Sequence, residues 1–381
     1  MDAFFASVEQ VINPSLLGKP IAVCGAIEGR SIITTSSYAA RARGVKTGMP
    51  IYLARKACPS IILVEGDHRK YLYYSMQIMN ILKRFSDRVE AYSIDEAFLD
   101  LKGICKDLEE AKSLGYKIKK TIRQELKLPC TVGISQAKIV AKVATSLGKP
   151  DGLFVIPKNE LDRHYWTLPV KELVGIGQST EVALKIMNIN TIGDLANAPV
   201  TDLIRRFGKN GYWMKQIALG NDPSEVVHDG LQPPPKSISH STTLDQDIKD
   251  RGRLRAVLSY LVSKVAQRMW VHGASYRTIY LVVRDSSFKT VSIARTYDGH
   301  DRGEALLFLR SASILDGWIN DNPATKVRLI GIGISGFNYG AYQMELPLSR
   351  QARQDLAVTD IVTRVRRRFG QNSILRANAL V

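Results

Sequence analysis

The sequence has 381 residues, of which 45% are hydrophobic and 23% are charged. Such a composition is typical of a globular protein, and the length predicts two to four domains. No apolar run approaches the roughly eighteen residues of a membrane span, and no basic stretch leads into an apolar N-terminal segment, which excludes a membrane protein and a secretory signal. We therefore expect a cytosolic protein.

The charge points to a polyanionic partner. Lys and Arg number 53 against 36 Asp and Glu, which gives a formal net charge of +17. An excess of this size favours nucleic acid or an anionic membrane, because cationic side chains release the counterions that are condensed on phosphates. Cys24, Cys58, Cys105 and Cys130 form no C-x-x-C pair, so we predict small buried side chains and neither a zinc site nor a disulfide framework.

The predicted elements of the first part begin with MDAFFASVEQ, which is typical of the end of a buried strand carrying a carboxylate. Strands follow in GKPIAVCG and SIITTSSYAA, and then come short helices from Ala40 to Pro59. Alternating polar and apolar residues predict a half-buried strand from Ala91 to Leu101. Helical spacing predicts a helix from Leu108 to Lys127, and a second one from Ala137 to Leu147 after the strand LPCTVGIS.

In the rest of the chain, Leu168 to Asp222 is predicted to be helical, with glycine turns at VGIGQST and FGKNG. The triple proline of GLQPPPK, residues 230–236, predicts an extended spacer. Beyond it we predict the strand KSISHSTTL, a helix from Leu254 to Trp270, a β-hairpin from YRTIYLVVRD and KTVSIART, another helix and the strand VRLIGIGIS. Strands with helices between them predict an α+β sheet covered on one face.

Three groups of residues could carry chemistry. SIDEAFLD holds Asp95, Glu96 and Asp100 on one predicted strand, where Asp95 and Glu96 point to opposite faces unless the strand bends or ends there. Asp95 and a carboxylate of a neighbouring strand could form a divalent-metal site, because Mg²⁺ prefers oxygen ligands and often shares them with phosphates. A solvated turn is the alternative interpretation. A second, cationic group can clamp phosphates or simply form scattered basic surface, and it contains Thr35, Tyr38, Arg41 and Lys149.

The third group consists of glycines at helix starts, whose exposed backbone N–H groups can hold a phosphate. It contains Gly175 and Gly177 of VGIG and Gly208 of FGKNG. Any helix-turn-helix also uses such glycines, so the pattern alone leaves both interpretations open.

Four motifs occur together, and as a set they resemble the Y family of DNA polymerases, in particular its bacterial DinB-type branch. They are MDAFFASVE, SSYAARARGVKTGMP, SIDEAFLD and VGISQAKIVAKVATSLGKPDG. The resemblance implies an α+β right-hand polymerase with a ferredoxin-like palm, small fingers, a helical thumb with helix-hairpin-helix turns and an α/β little finger. Its implied segments are 1–4 and 67–157 for the palm, 5–66 for the fingers, 158–229 for the thumb, 230–236 for the linker, 237–340 for the little finger and 341–381 for the tail.

The resemblance also implies the activity, namely error-prone translesion synthesis on primer-template DNA from deoxynucleoside triphosphates, with two Mg²⁺ ions and without proofreading. Asp95 and Glu96 match metal ligands, and Phe5 matches the steric gate against a 2′-hydroxyl. Residues that match triphosphate contacts are Thr35, Tyr38, Arg41 and Lys149. Residues implied to contact DNA are Gly175, Gly177, Gly208, Arg277, Arg284, Lys289 and Arg295, although the four basic ones could instead be the solvated face of a hairpin.

The tail segment AYQMELPLSR resembles a sliding-clamp-binding peptide through Gln343, Leu346 and Leu348. Short motifs of this kind also arise by chance. It is followed by DIVTRVRRRFGQNSILRA, which is typical of an amphipathic basic helix. We expect a monomer that binds no membrane.

The opening departs from the family's D-x-D-x-F motif, because the sequence starts at the first x. Met1 then matches the residue whose backbone carbonyl faces the metal, and Asp2 matches the second aspartate, which is not a principal ligand. The expectation is a start assigned downstream of the true one and a weakly active chain. Two rivals remain open, a catalytically inactive DNA- and clamp-binding protein and a palm-type nucleotidyl cyclase.

Overall fold

The structure is a computed structural model that describes residues 1–228, 233–340, 350–370, 373–375 and 377, except for the side chains of 350–353. The chain divides into two compact units, Met1–Gln232 and Pro233–Val381, and the division falls inside the GLQPPPK segment. Each unit is described by itself. Within the described residues, no helix is both long and apolar enough to cross a membrane.

The first unit contains three small sheets and eleven helices among its described residues. Its elements in chain order are α1 (Phe4–Ile12), β1 (Ile21–Cys24), β2 (Ile33–Ser36), α2 (Tyr38–Arg41), α3 (Ile51–Ala57), β3 (Ile62–Glu65), α4 (His68–Leu82), β4 (Val89–Ala91), β5 (Ala97–Leu99), α5 (Leu108–Leu126), β6 (Val132–Ile134), α6 (Lys138–Gly148), β7 (Leu153–Val155), α7 (Leu161–His164), α8 (Gln178–Ile186), α9 (Ile192–Asn197), α10 (Val200–Phe207) and α11 (Lys209–Ala218).

The described strands of this unit pair in three separate sheets. Strand β1 lies between β2, to which it is antiparallel, and β3, to which it is parallel. Strands β4 and β5 form an antiparallel pair, and β6 and β7 form a parallel pair. Helix α5 starts where the Asp107 carboxylate accepts two backbone N–H groups, and it buries Ile118 and Ile122 in the core.

Two predictions for this unit are wrong. The opening residues form no strand: the backbone turns at Ala3, which has a left-handed φ of 44°, and helix α1 begins at Phe4. The predicted single strand from Ala91 to Leu101 is instead the end of β4, a turn over residues 92–96 and the strand β5, because the N–H groups of Tyr92 and Ser93 both donate to the Glu96 carbonyl and close the turn. Helix α4 was not predicted at all.

The second unit is one antiparallel sheet with helices packed on one face. Its elements are β8 (Ser237–Ile248), α12 (Arg251–Val271), β9 (Tyr276–Asp285), β10 (Thr290–Asp301), α13 (Glu304–Asp321), β11 (Val327–Ser335) and α14 (Arg350–Phe369). The strand order is β10-β9-β11-β8. Ile279, Leu281 and Ile332 meet Leu258 and Leu261 of α12 in the core, so the predicted one-sided α+β sheet is confirmed.

Helix α14 joins this unit through buried polar groups. The Arg366 guanidinium donates to the Glu304 carboxylate of α13 over 2.9 Å, and their side chains are 1% and 3% exposed. The Asp355 carboxylate accepts the Ala305 N–H at 3.2 and 3.1 Å, and the Thr359 hydroxyl accepts the Glu304 N–H at 3.3 Å. Since the residue that precedes α13 is Gly303, which has no side chain to cap the helix, α14 supplies acceptors for the first N–H groups of α13.

Candidate active site

The two candidate metal carboxylates lie in the turn between β4 and β5. Asp95 and Glu96 are both half-buried, and the Ser93 hydroxyl donates to the Asp95 carboxylate over 2.8 Å. The Glu96 carboxylate accepts a hydrogen bond from the Lys142 ammonium over 2.6 Å. Because a turn frees neighbouring residues from the alternation of a strand, it removes the difficulty of two adjacent carboxylates on opposite faces.

The amino terminus reaches this turn. The Met1 nitrogen donates to the Asp95 carbonyl over 2.6 Å. Burial lowers the pKa of the Met1 amino group, the nearby Asp95 carboxylate opposes this, and the Lys149 ammonium adds to the lowering of that pKa. Met1 therefore contacts the turn at Asp95, and the charge of Lys149 acts on the Met1 amino group.

Asp2 has a structural environment of its own. Its carboxylate is fully buried and accepts the Thr131 hydroxyl at 3.0 and 2.9 Å and the Asp151 N–H at 2.8 Å. These bonds fix the start of the chain to β6 and to the turn after α6. That Asp2 is a neighbour of the site and not its principal ligand stays a prediction.

Tyr38 presents a polar atom for which the protein supplies no partner. Its hydroxyl is buried and has no hydrogen-bond partner within the described part of the chain. Burial raises the pKa of this phenol, the Asp2 carboxylate raises it further, and Arg41 partly offsets both. The Arg41 guanidinium carbon lies 4.9 Å from the centroid of the Tyr38 ring, and Thr35 precedes both on β2. A buried hydroxyl without a partner points to a missing polar ligand.

Phe5 lies at the start of α1, where aromatic side chains hold it. Its ring stacks on Tyr71 of α4 with centroids 4.1 Å apart and an interplanar angle of 14°. The His68 ring meets it edge-on at 5.9 Å. The Tyr71 hydroxyl in turn donates to the buried Glu9 carboxylate over 2.8 Å. Phe5 is thus a half-buried ring on a rigid aromatic support.

The carboxylate oxygens at the turn suit a magnesium ion that also binds substrate. Among the residues that the structure describes, no three His, Cys, Asp or Glu side chains are grouped so as to hold a metal. Mg²⁺ commonly uses one or two carboxylates and takes its other ligands from phosphates and water. Asp95 and Glu96 fit that demand, and the partnerless Tyr38 hydroxyl fits a neighbouring phosphate.

The glycine turns lie in the helical part of the first unit. Gly175 has φ +95° with open space around it, and Gly177 directly precedes α8. Gly208 has φ +60° between α10 and α11, which favours glycine at that point. Both turns precede helices whose first N–H groups can face a phosphate.

The four basic residues of the β9–β10 hairpin do not share one face. Arg284 stands opposite Thr290 and donates to its hydroxyl over 2.8 Å. Arg295 stands opposite the buried Ile279, which places it on the other side of the sheet. Arg277 is exposed near the start of β9, and Lys289 lies in the turn.

The clamp-motif residues Gln343, Leu346 and Leu348 lie outside the described residues. Lys142 and Tyr92 lie at the site, but the sequence prediction did not include them. The spacing of Lys138 and Lys142 on one helix face was the available signal.

Comparisons with known proteins identify a family. The impB/mucB/samB family model matches residues 1–146, and its C-terminal domain model matches residues 235–346. DNA polymerase IV of Dehalococcoides mccartyi is 33% identical over 98% of this chain and 94% of its own length. DNA polymerase IV of Pelotomaculum thermopropionicum is 34% identical over all of this chain and 94% of its own length.

Solved structures agree with these relatives. A chimera of the Y-family DNA polymerases Dbh and Dpo4 is similar with a TM-score of 0.78 and 28% identity, over 89% of this chain and 98% of that one. An insertion ternary complex of Dbh DNA polymerase has a TM-score of 0.59 and 27% identity, over 88% of this chain and 96% of that one. The similarity covers both units.

Proposed function

The chain belongs to the impB/mucB/samB family of Y-family DNA polymerases and is a DNA-directed DNA polymerase, and we propose that it copies damaged template by two-metal phosphoryl transfer without proofreading. Polymerases of this family use divalent metal ions, and we propose two Mg²⁺ here. The observation that carries the proposal is the β4–β5 turn, where Asp95 and Glu96 are adjacent and the Asp95 carbonyl accepts a hydrogen bond from the Met1 nitrogen.

Asp95, Glu96 and the Met1 backbone carbonyl would hold the metal ions. When bound, the ions would stabilise charge on the attacking and leaving oxygens of an in-line displacement. The protein's own contribution is placement, since the Ser93 hydroxyl orients the Asp95 carboxylate and the closed turn keeps the two carboxylates together.

The incoming deoxynucleoside triphosphate would bind beside this turn. Tyr38 would donate its hydroxyl to a phosphate oxygen, and Thr35, Arg41 and Lys149 would add donors and positive charge. Phe5, held flat against Tyr71, would contact the sugar and exclude a 2′-hydroxyl.

We assign DNA contacts to both units. Backbone N–H groups at Gly175, Gly177 and Gly208 would hold phosphates of primer and template. The charged contacts with primer-template DNA would come from Arg277, Arg284, Lys289 and Arg295. The domain limits implied by the resemblance, the sliding-clamp contact through Gln343, Leu346 and Leu348 and the monomeric state belong to the same proposal.

Replacing Asp95 with Ala tests the catalytic assignment. We expect primer extension with Mg²⁺ to fall more than about 100-fold, because several kcal/mol of charge stabilisation are lost. The affinity for primer-template DNA should stay within about twofold of that of the unaltered chain, because contacts with the phosphates of the DNA backbone contribute most of that affinity. Asp100→Ala is the matched control, because Asp100 pairs with Arg88 at 3.3 Å. An Asp95→Ala variant that extends primers as well as Asp100→Ala does would refute the assignment.

The rival interpretation, a catalytically inactive DNA-binding protein, predicts that the chain binds primer-template DNA but extends no primer. Primer extension by the chain with Mg²⁺ would exclude that alternative.

A further inference from the structure

Two lysines one turn apart on α6 hold the β4–β5 hairpin in the same way. Lys138 binds the Glu90 carboxylate at 2.8 Å with its ammonium 5.0 Å from the centroid of the Phe98 ring. Lys142 binds the Glu96 carboxylate at 2.6 Å with its ammonium 4.6 Å from the centroid of the Tyr92 ring. Each lysine therefore contacts one carboxylate and one aromatic face.

The two pairs differ in their surroundings. The Glu90 side chain is 11% exposed, and its carboxylate also accepts the Val227 N–H over 2.8 Å. Lys138 donates as well to the Glu225 carbonyl over 3.1 Å. The pair of Lys138 and Glu90 therefore connects the hairpin to the segment after α11 through hydrogen bonds at both of its ends.

The second pair opens toward the site. The Glu96 side chain is 41% exposed and the Lys142 side chain 22% exposed. Within the described residues, the structure shows Lys142 as the partner of the Glu96 carboxylate. A carboxylate that is accessible and satisfied by one cation can exchange that cation for another.

We propose that Lys142 occupies on Glu96 the place of a divalent cation, and that metal binding displaces its ammonium from Glu96 and leaves it on the face of Tyr92, where it already lies. The inference rests on the proposed function, because it takes Glu96 as a metal ligand. Lys142 is then a positioning residue that holds Glu96 ready before metal arrives and weakens metal binding while it does so.

Charge and geometry make the exchange feasible. An ammonium at hydrogen-bond distance from the carboxylate repels an incoming divalent cation, so metal binding weakens the contact between Lys142 and Glu96. The ammonium already lies within range of the Tyr92 ring, which attracts a cation through its quadrupole. Lys142 therefore keeps a partner after it releases Glu96, and no conformational change of α6 is needed.

The test is Mn²⁺ binding to the whole chain without nucleotide, measured by electron paramagnetic resonance of the unbound ion. Lys142→Gln should bind Mn²⁺ about two- to fivefold more tightly, the range expected when a partly exposed ion pair no longer competes. Lys142→Arg should keep the original affinity because it keeps the charge. Lys138→Gln is the matched control and should leave the affinity unchanged, because Glu90 is no ligand. An unchanged or weaker affinity in a folded Lys142→Gln variant overturns the proposal.

A second measurement needs no variant at position 142. The lysines of the chain are methylated with ¹³C and followed by nuclear magnetic resonance. Adding Mg²⁺ should change the chemical shift of the Lys142 methyl groups. Tyr92→Leu should abolish the part of that change which comes from the aromatic ring of Tyr92. The absence of any shift when Mg²⁺ saturates the protein would overturn the exchange. Glu96→Gln separates the proposed metal site from the proposed exchange of Lys142. If Glu96→Gln leaves the Mn²⁺ affinity unchanged, Glu96 is no metal ligand and the metal site itself is refuted. Affinity lost in Glu96→Gln but unchanged in Lys142→Gln refutes the exchange alone.

Discussion

Replacing Asp2 with Asn separates a structural carboxylate from a catalytic one. The carboxylate is fully buried, and its two oxygens accept the Thr131 hydroxyl and the Asp151 N–H. An amide keeps one acceptor oxygen and puts an NH₂ group in the place of the other. The Thr131 hydroxyl can then bond either the oxygen or the nitrogen of the amide, but not both as it does in the carboxylate. The negative charge that strengthens the bonds from Thr131 and from the Asp151 N–H is lost.

The magnitude follows from those contacts. A hydrogen bond to a charged group contributes about 1.5–3 kcal/mol, and the substitution removes one such bond and weakens the others. We therefore expect Asp2→Asn to lower the free energy of unfolding of the first unit by about 2 kcal/mol. For a unit of this size that corresponds to a melting transition lower by about 4–8 °C.

Calorimetry of the whole chain gives the melting temperature, and hydrogen exchange locates the effect. Amides in residues 129–134 and 149–153 should exchange faster, while those of the second unit should not change. Mn²⁺ affinity should stay within about twofold, because the carboxylate faces Thr131 and Asp151. The control is Asp87→Asn, which removes the same charge from an exposed position. Unchanged melting together with a large loss of Mn²⁺ affinity would refute the structural role and make Asp2 a metal ligand.

Three further predictions follow from other contacts. Phe5→Ala should raise ribonucleotide incorporation relative to deoxynucleotide incorporation by about 10- to 200-fold, measured on single turnovers, and an unchanged ratio would remove the gate assignment. Arg366→Met should cost about 3–5 kcal/mol in denaturant unfolding of the second unit because it breaks the buried pair with Glu304, and a loss below about 1 kcal/mol would contradict this. Burial raises the pKa of the Cys130 thiol to about 11. A thiol reagent at pH 8 should therefore label the half-buried Cys105 first and Cys130 only after denaturation. Rapid labelling of Cys130 in the native protein would contradict its burial.

Local patterns predicted much of this fold and part of the site. Helices α5, α6 and α12 follow their apolar spacing, and the three-residue interval between Tyr38 and Arg41 places both on the short helix α2. Such features depend on neighbours within one or two turns, which the sequence displays directly.

Other features depend on partners that are distant in the chain. The pairing of Glu96 with Lys142 spans 46 residues. The alternation of polar and apolar residues in SIDEAFLD is typical of a strand, but the segment begins in a turn that is closed by backbone hydrogen bonds. Helix α14 is harder still, because it buries Thr359 and Arg366 while Ile361 is 56% exposed. An apolar stripe predicts the buried face of a helix only where the surface beneath is apolar, and here it is polar.

The position of α14 also decides where the second unit can be cut. The family's C-terminal domain model ends at residue 346, and α14 begins only at Arg350. A truncation at that limit would keep all four strands and both long helices but remove the Asp355 oxygens that receive the Ala305 N–H. When this unit is exchanged with that of a relative, the piece that folds is therefore longer than the piece that the domain model covers, and a transplant should carry α14 with it.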